Sequence, residues 1–145
     1  MNNSKAKAFK IRGVDHLGIV ARDNKQAKWF FEEVLLLSSS HSEEVASQST
    51  AVNMYRVGDV ESPPLKLELL SPINDLGPIK KYIDKQGGGI HHFALKVDDI
   101  KAVIKHMKDK GVVMIDEEPR VGAEGCKVAF VHPKSAGGIL VEVVE

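Results

Sequence analysis

The chain has 145 residues, of which 43% are hydrophobic and 28% are charged, an ordinary composition for a folded globular protein. Its 20 basic and 20 acidic residues cancel, so it lacks the positive charge that is typical of nucleic-acid-binding proteins. The single cysteine, Cys126, excludes a disulfide within this chain, and no apolar run is long enough for a membrane helix. The stretch 1–13 has no apolar segment typical of a signal peptide. We therefore expect a cytoplasmic protein without nucleic-acid or membrane partners.

The first predicted elements are a strand that contains DHLGI (15–19), an Asp-bearing turn and an amphipathic helix. In that helix, apolar side chains recur at helical spacing and are expected to face the core: Ala27, Phe30, Phe31 and Val34. Two strands are predicted next, at 35–44 and 51–57. A third strand, LKLELL (65–70), carries Glu68 among apolar residues.

A short helix is predicted over residues 78–86. Pro78 suits its first turn, and Ile79, Tyr82 and Ile83 are spaced to face inward. The three glycines that begin at Gly87 end it, so this helix is a short linker.

The second half repeats the pattern of the first. A strand with HHFAL (91–95) precedes a helix that Gly111 ends, with inward positions Ile100, Val103, Ile104 and Met107. Strands follow at 112–115 and 127–131, separated by a glycine-rich turn at 121–125. The last strand, ILVEVV (139–144), carries Glu142.

The two halves align residue by residue. DHLGI matches HHFAL, and His16 to Glu68 spans 52 positions where His92 to Glu142 spans 50. The repeat predicts an α+β fold of two tandem βαβββ modules, about 13–72 and 89–145, in one domain over 13–145. We expect one mixed, curved sheet with helices on its outer face. Its open edges and faces would suit a homodimer.

The repeat also predicts a metal site. Under a pseudo-twofold, His16 meets His92 and Glu68 meets Glu142, whereas His91 points to the opposite face because neighbours on a strand alternate. Taken singly, a strand histidine such as His16 or His92 is more often a hydrogen-bonded core residue, and a strand glutamate such as Glu68 or Glu142 is more often solvated. Together, two imidazoles and two carboxylates suit a divalent ion (Co, Mn, Ni, Zn or Mg), with two octahedral positions left open.

Three stretches carry a resemblance to a known family: VDHLGIVARD (14–23), GPIKKYIDKQGGGIHHFALKVDDI (77–100) and DEEPRVGAEGCKVAFVHPKSAGGILVEV (116–143). They resemble the vicinal oxygen chelate superfamily and, within it, the methylmalonyl-CoA epimerases. The resemblance runs from about residue 13 to the end and is weakest over 36–64. There Leu36 replaces a usual glycine, and the sequence of residues 47–50 replaces Glu-Gln-Gly-Val.

The resemblance implies metal-dependent epimerisation of methylmalonyl-CoA at C2 through a metal-stabilised enolate. It makes the acyl-CoA the substrate and makes His16, Glu68, His92 and Glu142 the metal ligands. Some members of the family carry glutamine at the position of Glu68 and a second catalytic glutamate on the preceding strand.

This chain offers Val52 or Asn53 on that strand, so Glu68 and Glu142 are expected to be the two bases. Lys134, Ser135 and Arg120 lie in loops and are expected to contact the CoA phosphates.

Three other functions remain open at this point. A glyoxalase I-type enzyme would use the same ligand set to isomerise a glutathione hemithioacetal. An extradiol-type Fe(II) dioxygenase would use two histidines and one carboxylate. A small-molecule-binding protein of the same fold would need no metal.

Overall fold

A computed structural model describes residues 7–58 and 65–145, so the first six residues of the stretch 1–13 considered above lie outside it. The helices and strands, in chain order, are β1 (Ile11–Val20), α1 (Asn24–Trp29), β2 (Ser39–Val45), β3 (Thr50–Val57), β4 (Leu65–Pro72), α2 (Pro78–Gln86), β5 (Gly89–Val97), α3 (Ile100–Asp109), β6 (Arg120–Val121), β7 (Lys127–Val131) and β8 (Val141–Val144). The strands hydrogen-bond in the order β2-β3-β4-β1-β5-β8-β7-β6. The sheet is mixed, because β1 and β4 are parallel whereas β3 and β4 are antiparallel. The predicted α+β class and the tandem βαβββ order are confirmed.

The described chain divides into two compact units, residues 7–15 with 94–145 and residues 16–58 with 65–93. β1 and β5 each run from one unit into the other. The predicted domain limits and the homodimer stay predictions. Within the described ranges, no helix is both long and apolar enough to cross a membrane.

Tyr55 is the largest fully buried side chain of the unit that contains residues 16–93. Its ring meets Phe31 edge-on at 5.3 Å, and its hydroxyl donates a hydrogen bond to Glu32 Oε1 at 2.8 Å. Burial, together with the Glu32 carboxylate, raises the pKa of Tyr55 well above its usual value. The hydroxyl therefore stays protonated and anchors the end of the first helical segment to β3. The predicted linker helix 78–86 is confirmed as α2, with Ile79 buried.

The first helical segment differs from its prediction. α1 begins with the Asp23 carboxylate accepting a hydrogen bond from the Gln26 N–H at 3.0 Å. It then widens into a π-helical turn over Phe30–Val34. One extra residue in a turn rotates the positions that follow it around the axis. Phe30 and Val34 are consequently 44% and 47% exposed, so the prediction that they face the core is wrong.

Leu36 closes this segment in a left-handed conformation, with φ +57°. The Leu37 N–H donates to the Phe31 carbonyl at 2.9 Å, a bond typical of helix ends that close through a glycine. The strand predicted at 35–44 therefore begins only at Ser39. Leu36 is 80% exposed, so packing does little to offset its backbone strain.

We expect Leu36→Gly to stabilise the protein. Glycine adopts a positive φ without steric strain, and the gain should be about 1 kcal/mol, or roughly 3 °C in Tm. Thermal denaturation followed by circular dichroism measures it. Leu35→Gly is the matched control, because Leu35 has a right-handed φ of −86° and glycine there should destabilise the protein. A Leu36→Gly variant that melts below the wild type would contradict the strain argument.

The unit that contains residues 94–145 is built around α3. Its predicted inward side chains Ile100, Val103 and Ile104 are buried with Val131 and Val143 of the sheet. The Asp99 carboxylate caps the helix by accepting from the Ala102 N–H at 2.9 Å. Gly111 follows with φ +79°, as its position predicted.

The strand predicted at 112–115 is wrong. Within this segment Met114 forms a single antiparallel bridge, with Val131. The ladder stops there because Asp116 uses its side chain: the carboxylate accepts from the Phe130 N–H at 2.9 Å, where a strand would use a carbonyl. The two-residue strand β6 lies instead at Arg120–Val121, so it includes the first residue of the predicted turn 121–125.

Candidate metal centre

The strand registers put the predicted ligands of the first repeat on one face. In the parallel pair of β1 and β4, His16 lies opposite Lys66 and Gly18 lies opposite Glu68. Paired residues of neighbouring strands share a face, and residues two apart on one strand do so too. His16 and Glu68 therefore project from the same side of the sheet, and Met54 joins them from β3 because it pairs with Glu68.

Three buried side chains meet on that side. The Nε2 atoms of His16 and His92 are 3.1 Å apart, and His16 Nε2 is 3.2 Å from Glu68 Oε2. The two imidazole rings are perpendicular, with an interplanar angle of 87°. His16, Glu68 and His92 are 4%, 5% and 6% exposed, so water contributes little to their solvation.

The spacing of these atoms fits a metal ion. Ligand atoms about 2.1 Å from one ion and at right angles to each other are about 3 Å apart. The two separations, 3.1 Å and 3.2 Å, agree with that value. Imidazole nitrogen with carboxylate oxygen is a donor set for divalent transition metals. His16 with His92, and His16 with Glu68, are therefore two donor pairs at the spacing of ligands to a divalent ion.

Gly18 makes room for the His92 ring and was not singled out by the sequence. A Cβ atom on Gly18 would lie 2.2 Å from His92 Cε1 and 2.4 Å from its Nδ1, which no real contact allows. The ring therefore packs on the bare backbone of β1. The signal in the sequence is weak, because the second repeat has alanine at the matching position, Ala94.

His91 is half-buried beside the linker helix α2. Its ring meets that of Tyr82 edge-on, with centroids 5.0 Å apart. His91 Nδ1 is also 2.9 Å from His92 Nδ1. The sequence analysis gave His91 no role in the site, although the adjacent histidines were visible.

Glu142, the remaining predicted ligand, lies on β8 in the other compact unit. It is buried, with 6% of its surface exposed, and pairs with Phe130 of β7. A buried carboxylate needs a hydrogen bond or a cation to offset its lost hydration.

The predicted CoA-contacting residues lie in the same unit as Glu142. Arg120 Nε donates to Asp116 at 2.9 Å, and its guanidinium lies over the Phe130 ring. The Ser135 hydroxyl accepts from the Val113 N–H at 2.9 Å. Lys134 is exposed in a turn that His132 caps, because His132 Nδ1 accepts from the Lys134 N–H.

The chain matches a family model along most of its length. Residues 15–130 match the model described as the glyoxalase/bleomycin resistance protein/dioxygenase superfamily. The chain belongs to this superfamily. The predicted vicinal oxygen chelate resemblance, which names the same glyoxalase-like superfamily, is confirmed.

Its relatives include methylmalonyl-CoA epimerases. The chain is 36% identical to the uncharacterized protein YqjC of Bacillus subtilis over 91% of each chain. It is 32% identical to the mitochondrial methylmalonyl-CoA epimerase of Homo sapiens, over 90% of this chain and 72% of that protein. A solved structure of a methylmalonyl-CoA epimerase in complex with methylmalonyl-CoA and NH4+ matches with a TM-score of 0.86 at 30% identity, covering 93% and 94% of the two chains.

We expect Gly18→Ala to damage the metal site more than the fold. The added methyl group must displace the His92 ring, and metal affinity should fall by more than about 100-fold, because even indirect partners of a ligand contribute about 10–100-fold. Isothermal titration with Zn²⁺ or Co²⁺ measures it.

Gly122→Ala is the matched control, because a Cβ there would crowd the Val128 side chain at 2.8 Å without meeting a predicted ligand. Gly18→Ala protein that folds and binds metal like the wild type would contradict this account of the His92 pocket.

Proposed function

We propose that this protein epimerises methylmalonyl-CoA at C2, with a divalent metal ion as its cofactor. The observation that carries the proposal is the buried His16, whose Nε2 has the spacing of a neighbouring ligand on one ion both from His92 Nε2 and from Glu68 Oε2. The similarity to methylmalonyl-CoA epimerases over most of the chain gives the substrate class.

Glu142 completes the proposed ligand set. It occupies the position on β8 that corresponds to Glu68 on β4, and it is buried as the other proposed ligands are. When bound, a divalent ion would offset the negative charge that develops on the thioester oxygen as the C2 proton leaves. The choice among Co, Mn, Ni, Zn and Mg is left to experiment.

Epimerisation removes the proton of C2 on one face and returns a proton on the other. Two carboxyl groups on opposite sides can do this without moving the substrate: one carboxylate accepts the C2 proton, and the protonated partner donates its own. We assign these roles to Glu68 and Glu142.

β3 offers no carboxylate that could serve as the second base instead. Its sequence, TAVNMYRV, contains no acid. The register puts Val52 opposite Leu70 and Met54 opposite Glu68, so the side of β3 that Glu68 shares carries these two apolar residues, with Thr50 and Arg56 beyond them and no carboxylate. Asn53 is on the other side, where its amide oxygen accepts from the Ser42 hydroxyl.

The CoA moiety is assigned to Lys134, Ser135 and Arg120. Lys134 is the strongest of the three, because it is exposed and its ammonium is a point charge suited to phosphate. Arg120 would keep its bond to Asp116 and offer its remaining N–H groups, since guanidinium carries five donors.

The test of this function is exchange of the C2 proton of methylmalonyl-CoA in heavy water, followed by mass spectrometry. The metal-loaded protein should exchange the proton far faster than buffer alone, and a chelator should abolish the difference. Turnover of a glutathione hemithioacetal is measured beside it. Hemithioacetal turnover without C2 exchange would replace the proposal with a glyoxalase I-type function.

Replacing Glu68 by glutamine tests the base assignment. We expect Glu68→Gln to bind metal nearly as well as the wild type, because an amide oxygen can still serve as a ligand. Epimerisation should slow by about 10²–10⁴-fold, the usual contribution of a general base. Glu44→Gln on the exposed surface of β2 is the control and should be fully active. Wild-type rates in Glu68→Gln would refute the two-base assignment.

A further inference from the structure

We propose that His91 is a positioning residue for the metal site: it accepts the Nδ1–H of His92 and so keeps the Nε2 lone pair of His92 free to bind the ion. This inference rests on the proposed metal cofactor. It assigns a role to the first histidine of the adjacent pair, which projects from the strand beside a ligand without belonging to the ligand set.

The argument begins with the two nitrogens of the His92 ring. Nε2 faces His16 Nε2 at 3.1 Å and must be deprotonated to bind a metal. A neutral imidazole carries one proton, which must then be on Nδ1. That Nδ1–H is buried and needs an acceptor. His91 Nδ1, at 2.9 Å, lies at the distance of a hydrogen bond.

Accepting this bond fixes the proton of His91 in turn. Its Nδ1 must offer a lone pair, so its own proton lies on Nε2. The reverse arrangement, with His91 donating, would put the His92 proton on Nε2 and direct it at His16. That arrangement would oppose metal binding at this nitrogen. Hydrogen bonds from ligand histidines to a neighbouring acceptor commonly set the tautomer in this way.

The linker helix holds His91 in place. Tyr82 of α2 meets the His91 ring edge-on, at 5.0 Å between centroids and an interplanar angle of 74°. The Tyr82 hydroxyl donates to the Ile90 carbonyl at 3.3 Å, which ties α2 to the residue just before His91. An aromatic contact of this kind restricts ring rotation. The orientation of the ligand His92 thus depends on packing by α2, an element outside both repeats.

The His92 ring is confined on two sides. Gly18 of β1 lies against it, as described above, and His91 lies at its Nδ1 edge. A ring held in this way is preorganised, so metal binding need not order it. Losing the His91 acceptor should therefore lower affinity even in a variant whose fold is unchanged.

Two substitutions distinguish the loss of the hydrogen-bond acceptor from the loss of the aromatic ring. His91→Phe keeps an aromatic ring against Tyr82 and removes the acceptor, and we expect metal affinity to fall by about 10–100-fold. His91→Asn loses the ring but offers an amide oxygen near the position of Nδ1, and we expect it to recover most of that loss. His106→Phe is the matched control, because His106 also meets an aromatic ring edge-on, that of Phe9 at 5.5 Å.

Two readouts test the proposal. Titration with Zn²⁺ gives the affinities, and ¹⁵N NMR of histidine-labelled, metal-free protein gives the tautomers at a pH about two units above the ordinary imidazole pKa. The expected result is a protonated Nδ1 on His92 in the wild type and in His91→Asn. In His91→Phe the two tautomers should be mixed.

Failure of this inference differs from failure of the proposed function. If the wild type binds Zn²⁺ and His91→Phe matches it in affinity and tautomer, the positioning role is wrong while the metal site stands. A wild-type His92 that carries its proton on Nε2 would also overturn it. If the wild type binds none of Co²⁺, Mn²⁺, Ni²⁺, Zn²⁺ and Mg²⁺, the proposed metal cofactor fails, and His92 protonated on Nδ1 would still support the bond to His91.

Discussion

The approach of two imidazole nitrogens and a carboxylate oxygen in a buried place is the interaction on which the candidate site depends. His16 Nε2 lies 3.1 Å from His92 Nε2 and 3.2 Å from Glu68 Oε2. Three polar groups so close together lose much of their hydration, and a protein keeps such a group only when something offsets that loss. The proposed divalent cation would do so through charge, and the strands that carry these residues would hold them in place.

Much of this site could be predicted from the sequence, because the positions of its residues follow from the internal repeat and from the alternation of side chains along a strand. The repeat matched DHLGI to HHFAL, and strand alternation selected His92 rather than His91 as the partner of His16. The structure then brings His16, His92 and Glu68 together. The roles of Gly18 and His91 were not predicted, because neither follows from the repeat or from strand alternation. Gly18 matters because of a side chain it does not have, and His91 because of a contact between two ring nitrogens.

The errors in the fold have similar causes. The helical period places Phe30 and Val34 on the inner face only if every turn contains the same number of residues. The π-helical turn contains one more, so this assumption fails there. The apolar run at 112–115 reads as a strand, but Asp116 competes with the backbone for Phe130. In both places the local backbone geometry departs from the structure that the hydrophobic pattern indicates. By contrast, α3 followed its prediction, because its caps and its apolar stripe agree.

The carboxylate of Asp116 also engages a backbone group of β7 that a strand of another chain could otherwise bond. It occupies the Phe130 N–H, and the backbone N–H groups of Ile115 and Asp116 both donate to the Phe130 carbonyl. The rest of this side of β7 is covered by the two residues of β6 and by the bridge from Met114. An extended segment of another chain that approached β7 would therefore meet engaged backbone groups and the ion pair of Asp116 with Arg120. Short outer strands that carry charge are a known protection against edge-to-edge polymerisation.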